Sequence, residues 1–346
     1  MLTQKEIARH LGVSISSVSL VLSGNDAGRI KPTVAREIRR VADELGYVPN
    51  HLAQSLKKGQ THTIGIVSDE VATVPFSGHL LAGAQQRAWA AGYMLLLIDV
   101  AGEESMQSPA VKSLLQRNIE ALIFATAYHR ELELPLVPAN VPVVVLDGRP
   151  LEGSRDADSV VPDEAAGARA AVLHLAEAGH RRIGFCNVPG RYPLAGSLRL
   201  EGYRQALEES GIRYDPALVV DAPDASTADA RGPAHDLLTR SDPPTAVFCF
   251  GDQIAMGFYQ VAARLGLRVP DDLSIVGFDN QQFVADSLDP GLTSVQLPHT
   301  AMGEWAADRA LARIAGDPSA PALHHLMPCP LIVRDSVAPP PPRHRG

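Results

Sequence analysis

Residues 7–24 read IARHLGVSISSVSLVLSG. Small Ala8, Gly12 four residues on, and Val18 six further have the spacing of a helix-turn-helix. Two helices that cross steeply need a small side chain at the contact, a glycine at the bend and a β-branched plug in the core. Upstream, Thr3 and Glu6 stand at capping-box spacing, so a helix is predicted from Gln4 with Ile7, Ala8 and Leu11 on one face. Ser14 can cap a second helix whose apolar face is Val18, Val21 and Leu22. A bare helix hairpin shares part of this spacing. In a helix-turn-helix the second helix lies in the major groove with its N-terminal residues at the base edges.

Further along, Pro32 suits a first helical position, and Val34, Ile38, Val41, Ala42 and Leu45 recur at helical spacing before Gly46. Then comes YVPNHLAQSLKKG, residues 47–59, where Asn50 can cap a short helix that Gly59 closes. Isolated helices below roughly 12–15 residues are marginal in water, so this one needs a partner or DNA. Residues 1–60 hold nine Lys/Arg against five Asp/Glu, a net +4, while the remainder holds 22 against 34, a net −12. A basic head on an acidic body fits a polyanion bound by the head alone.

The 346 residues suit two or three domains and can bury a core without staples. Cys186, Cys249 and Cys329 are too few and too scattered for a disulfide framework or a metal cluster, and are read as small core residues in a reducing compartment. Lys5, Glu6, Arg9 and His10 break up any N-terminal apolar run, which opposes a signal peptide. Nothing approaches the run of about 18 apolar residues that a membrane span needs.

After residue 62 the pattern becomes α/β. Short apolar strands are predicted at Ile64–Val67, Met94–Ile98, Ala121–Ala125 and Val143–Leu146, with a helix over Phe76–Ala91. A second series starts near Ser159, with strands at Arg182–Cys186, Ala246–Phe250 and Leu273–Val276. Its helices are predicted at Glu164–Ala178, Leu198–Ser210 and Gln253–Leu265. Strands alternating with helices imply parallel doubly wound sheets, and two series imply two lobes. Ligands of such folds sit at the carboxyl ends of strands. Asp69, Asp147, Asp252 and Asp279 each follow a strand, and each either caps the next helix or touches ligand; Asp252 is read as mainly structural.

The stretches IARHLGVSISSVSLVLSG and ELGYVPNHLAQSLKKG (44–59) resemble the LacI-type family of bacterial repressors. So, in order, do AGHRRIGFC (178–186), RLEGYRQALEESGI (199–212), the long run from Pro243 to Asn280, and DPGLTSVQLP (289–298). The resemblance implies an all-α helix-turn-helix head over residues 1–48 and a hinge helix over 49–60. It implies a two-lobed α/β body like that of periplasmic sugar-binding proteins. The N-terminal lobe is expected at 62–160 plus 292–323 and the C-terminal lobe at 161–288 plus 326–336. Crossovers are expected near Val161, Leu288 and His325, and 337–346 is read as a disordered tail.

The resemblance also implies base readout by Ile15, Ser16 and Leu20, with Leu56 as a minor-groove wedge. Only Ser16 of the three readers can hydrogen-bond a base edge; Ile15 and Leu20 offer apolar contact, and Leu20 has core packing as its plain alternative. Ser14, Ser17, Ser19, Arg29, Lys31, Lys57 and Lys58 are candidates for phosphate contacts. In the cleft the family pattern adds Arg199, which with Asp279 makes a donor–acceptor pair for sugar hydroxyls. Phe76, Tyr192 and Phe283 are either stacking surfaces or core. Gly251 stands where many members have Asn, and Leu297 where many have Gln, so the pocket loses two polar groups and a simple sugar is in doubt.

These features describe a cytoplasmic, homodimeric repressor that binds a pseudo-palindromic operator and a small effector, carbohydrate by resemblance. The alternative is a ligand-binding module without a regulatory role, opposed by the basic head and the charged N-terminus. An enzyme is disfavoured because no nucleophile elbow, phosphate loop, dinucleotide fingerprint or zinc-protease motif occurs. No cofactor or metal is expected, and His324-His325 is a bare pair.

Overall fold

The computed structural model describes residues 3–47, 60–72, 74, 77–316 and 320–342. The expected hinge helix with Leu56, Lys57 and Lys58, and also Phe76, lie outside the described residues. The chain divides into two compact units, Met1–Thr61 and His62–Gly346.

The first unit contains α1 (Gln4–Leu11), α2 (Ile15–Leu22) and α3 (Pro32–Glu44). The Thr3/Glu6 capping box is formed, with the Thr3 amide donating to Glu6 Oε2 at 2.8 Å. Gly12 takes the left-handed conformation (φ 63°) that ends α1, and Ser14 caps α2 by accepting from the Ser17 amide. Ile7, Ala8, Val18, Val21, Ala35, Ile38, Val41 and Ala42 form one buried core. Ala8 and Val18 thus meet in the interior, as their spacing predicts.

The second unit holds two six-stranded sheets, ordered β11-β5-β4-β3-β1-β2 and β12-β10-β9-β8-β6-β7. The first is built from β1 (Thr63–Asp69), β2 (Met94–Asp99), β3 (Ala121–Leu132), β4 (Val143–Pro150), β5 (Asp158–Pro162) and β11 (His324–Met327). The second is built from β6 (Ile183–Asn187), β7 (Val219–Asp221), β8 (Ala246–Cys249), β9 (Ser274–Asp279), β10 (Thr293–Gln296) and β12 (Leu331–Ile332). Among the described residues every pairing is parallel except β10 with β12. The helices are α4 (Gly78–Ala90), α5 (Gln107–Leu115), α6 (Glu164–Glu177), α7 (Pro193–Glu209), α8 (Arg231–Leu238), α9 (Asp252–Leu265), α10 (Gln282–Ala285) and α11 (His299–Ala315). Cys186, Cys249 and Cys329 are buried free thiols.

Glycines let helix pairs pack at backbone contact. A Cβ at Gly303 on α11 would lie 2.0 Å from the Leu80 carbonyl oxygen on α4, and one at Gly83 would lie 2.1 Å from that of Thr300. In the other lobe a Cβ at Gly202 on α7 would lie 2.2 Å from the Ala165 carbonyl oxygen on α6.

The chain passes between lobes after Pro162, after Gln296 and after Met327, since α11 packs on the first sheet with β11 while β10 and β12 belong to the second. The second passage corrects the expected boundaries. Thr293–Gln296, assigned by resemblance to the returning segment, is a strand of the C-terminal sheet paired with Val276–Asp279. Its Thr-Ser-Val-Gln sequence carries no strand periodicity, and Ser294 is held by the buried Asp252 carboxylate. Likewise His324–Met327 pairs with β5 in the first sheet. The returning segment is anchored by Asp158, which is fully buried. It accepts from Arg313 at 2.7 Å, Arg309 at 3.1 Å and the Leu323 amide at 2.7 Å. Burial alone would raise the Asp158 pKa, but these bonds hold it below the usual value.

Residues 337–342 correct the expected disordered tail. The Ala338 amide donates to Ser274 Oγ at 3.1 Å and its carbonyl accepts from the Ser274 hydroxyl, while Pro340 packs at Gly179. Proline-rich composition marks the lack of a helix or strand here, not the lack of contacts.

Candidate ligand cleft and DNA-contacting face

On α2, Val18 and Val21 turn inward, leaving Ile15, Ser16, Ser19 and Leu20 on other faces. Ile15 is 48% exposed, Ser16 is exposed, and Leu20 is half-buried without joining the core cluster. Ser16 and Leu20 stand four apart and so share a face. The hydroxyls of Ser14 and Ser17 lie 2.9 Å apart at the start of this helix, where backbone N–H groups favour anions. Arg29 and Lys31 are exposed, whereas Arg39 pairs with Asp26 and Arg40 with Glu37 and Glu44.

Between the lobes lies a cavity of about 280 Å³ whose lining includes Asp147, Tyr192, Arg199, Gly251 and Asp279. These five residues, predicted from strand ends or from resemblance, are brought together. Asp69 does not line the cavity; its carboxylate pairs with Arg130 and accepts from the Gly102 amide. Phe283 is 57% exposed and lines an adjoining chamber of about 540 Å³, which shares Asp279, Gln281, Leu297 and His299 with the cavity. Asp252 is buried, accepting from the Gln281 amide and the Ser294 hydroxyl, and so shapes the turn that carries Asp279. That turn is strained: Asp279 has φ 97° and Asn280 φ 51°. Asp147 is also left-handed, at φ 62°. Such conformations cost of order 1–3 kcal/mol each and persist where the surroundings impose them.

Arg199 lies between the rings of Phe250 and Phe278, 4.1 and 3.7 Å from their centroids. It donates to Glu164 at 2.6 Å and to the Phe250 carbonyl, and stands 3.7 Å from Asp279. Burial pushes the Asp279 carboxyl up to about 7, against the pull of Arg199. Burial raises Asp147 well above the ordinary range, with Glu164 adding to the effect. Gly251 leaves room at Asp279: a Cβ there would stand 3.0 Å from Asp279 Oδ2.

At the mouth the lobes touch. Arg191 meets Glu70 at 3.3 Å, and Tyr192, stacked on Phe250, meets Tyr128 edge-on at 4.9 Å.

Glu164, Arg191, Gln281 and His129 line the cavity without having been singled out in the sequence, and His129 is the most telling of them. The β3–β4 register shifts between Ala125 and Arg130, and Thr126 bridges the irregularity by donating to the Asp147 and Tyr128 carbonyls. Bulges re-aim side chains. This one places His129, only 2% exposed, on the cavity wall. Both ring nitrogens of His129, Oδ1 of Asp147 and Oε1 of Gln281 are buried without a hydrogen-bond partner. The only sequence signal was a histidine four residues beyond an apolar strand end.

A helix-turn-helix unit joined to a two-lobed binding body defines a ligand-responsive DNA-binding regulator. Residues 3–50 match the model of bacterial regulatory proteins, lacI family, and residues 172–337 that of the periplasmic binding protein-like domain. The ribose operon repressor of Haemophilus influenzae is 32% identical, covering 91% of this chain and 92% of its own. The transcriptional repressor PurR of Yersinia enterocolitica is also 32% identical, covering 98% and 97%. The crystal structure of a regulator of this family from Rhizobium etli superposes with a TM-score of 0.73 at 30% identity, covering 81% of this chain and all of that one. The chain belongs to the lacI family of bacterial regulatory proteins. It is a DNA-binding transcriptional regulator. No helix among the described residues is long and apolar enough to cross a membrane.

Proposed function

We propose that this chain is a cytoplasmic repressor, without catalytic activity, whose operator affinity is set by a monosaccharide-sized ligand in the cleft. The observation that carries this is the set of unpartnered buried atoms of His129, Asp147 and Gln281 on one cavity wall system with Arg199 and Asp279. Buried polar groups without partners are costly, and a ligand rich in hydroxyls would satisfy them. At about 280 Å³ the cavity lies just below the roughly 300–1,000 Å³ range of drug-sized ligand sites, which suits a ligand no larger than a monosaccharide. Two relatives point the same way: one is a ribose operon repressor, and a solved structure of the family carries bound ribose.

On DNA, Ile15, Ser16 and Leu20 would read bases, Ser14, Ser17, Ser19, Arg29, Lys31, Lys57 and Lys58 would hold phosphates, and Leu56 would wedge the minor groove. A second copy of the chain supplies the other half-site. The edge strand β2 supports this, since Met94 (56%) and Leu97 (39%) are exposed beside Trp89 (71%), an apolar edge that monomers rarely leave open.

Calorimetric titration with D-ribose, D-glucose and related free sugars tests the cleft. Binding to wild type, loss in Asp279→Asn, and a changed operator affinity on sugar addition are the expected results. Sugars that bind yet leave operator affinity unchanged would refute the regulatory link.

A further inference from the structure

We infer that His129 is a ligand-contacting residue that, beside Asp147, forms a wall subsite for an uncharged donor-and-acceptor edge, and that the cleft rejects anionic ligands such as phosphate esters. This rests on the proposed sugar-binding role of the cleft and narrows its ligand class.

Three observations carry it. First, His129 is buried to 2% exposure, and neither ring nitrogen has a partner, on the wall of a cavity shared with the unpartnered Asp147 Oδ1. A structural histidine in a core bonds to something, as His180 does to Thr245, Ser274 and the Ala338 carbonyl. Second, the position is built: the β3 bulge turns His129 toward the cleft, and Thr126 pins the bulge to the Asp147 backbone. Third, the charges lining the cavity are unequal. Among its described residues Glu70, Asp147, Glu164, Asp224 and Asp279 face only Arg191 and Arg199. Arg191 is engaged by Glu70 and Arg199 by Glu164, so neither arginine offers an uncommitted charge.

Burial, with Arg149 and Arg199 nearby, pushes the imidazole down to about 3, so the ring is neutral. A neutral imidazole offers one donor and one acceptor. That edge matches two hydroxyls, or one hydroxyl that both gives and takes; to a phosphate dianion it offers a single neutral donor and no positive charge, and its acceptor nitrogen would face lone pairs. A dianion would instead be buried beside Glu164 and Asp279 with no uncommitted cation to balance it, a cost that low dielectric enlarges.

The test has a ligand-free arm and a binding arm. In full-length protein without ligand, His129→Leu and His129→Met remove two unsatisfied nitrogens while filling the space. At least one should raise the unfolding midpoint, by roughly 2–6 °C. If both lower it, His129 is structural and the proposal is overturned.

In the second arm D-ribose and D-glucose are titrated against ribose 5-phosphate and glucose 6-phosphate. Wild type should bind a free sugar at least about tenfold tighter than its ester. His129→Leu should weaken that sugar about tenfold or more, and His129→Gln, which keeps a donor and an acceptor, should weaken it less. A phosphate ester that binds as tightly as its free sugar overturns the proposal. Failure of all four sugars to bind would fall on the sugar reading itself, with the midpoint shifts still deciding His129.

Discussion

Replacing Arg199 by Leu should unfold the body far more readily, and the loss should be recoverable from one other position. Arg199 is 3% exposed, clasped by two aromatic rings, and bonded to Glu164 at 2.6 Å, itself 3% exposed. Leucine can keep some of the packing between Phe250 and Phe278, so the chief loss is the counter-charge. Removing one partner of a buried pair costs about 3–5 kcal/mol because the other charge is left uncompensated. At about 2–4 °C per kcal/mol for a body of this size, the midpoint should fall by roughly 6–20 °C at pH 8. Much of that cost is the stranded Glu164 carboxylate, with Asp279 close by. Two results should follow in thermal unfolding monitored by circular dichroism. The deficit should shrink at pH 5, where a stranded carboxyl takes up a proton more readily. Adding Glu164→Gln should restore a large part of the midpoint. A deficit equal at both pH values and untouched by Glu164→Gln would refute this account and make Arg199 a packing residue.

Asp147→Asn should stabilise the ligand-free protein at pH 8. The folded pKa of Asp147 is raised, so the folded chain holds a proton that the unfolded chain releases, and stability falls as pH rises out of the ordinary carboxylate range. The variant should show a flatter profile of midpoint against pH; a steeper one contradicts the assignment. Gly303→Ala, with its Cβ 2.0 Å from the Leu80 carbonyl oxygen, should abolish or severely weaken folding. Gly232→Ala on α8, with nothing within 4 Å, should be neutral or gain about 0.5–1 kcal/mol, and equal behaviour of the two in a denaturant melt would discount the close helix contact. In gel-shift titrations Leu56→Ala should weaken specific operator binding strongly and nonspecific DNA binding little, equal losses arguing against a wedge.

The head was legible because its signals are local. Thr3 with Glu6, Gly12 and Ser14 act on neighbours within four residues, and each does what its spacing predicts. Within the cleft Asp147 and Asp279 were found because a strand end is a place that a short apolar run reveals. Asp69 satisfied the same rule but is taken by Arg130, 61 residues away, and no local pattern encodes that partner. His129 was hidden for a related reason. The apolar signal of β3 stops at Ala125, yet the strand resumes at Arg130, opposite Gly148, after a bulge that only the neighbouring strand defines. The passage after Gln296 was misplaced because β10 is held by Asp252 and Ser336, contacts remote in sequence, and not by its own periodicity.

The glycine contacts bear on how the body works as a machine. With Gly83 and Gly303 locking α4 to α11, and Gly202 seating α7 on α6, side chains that could slide over one another are replaced by backbone set against backbone. Each lobe is thereby stiffened against internal shear. A change in the width of the cleft would therefore fall on the three short linkers after Pro162, Gln296 and Met327. A ligand in the cleft would then bias the angle between two stiff plates rather than deform either one.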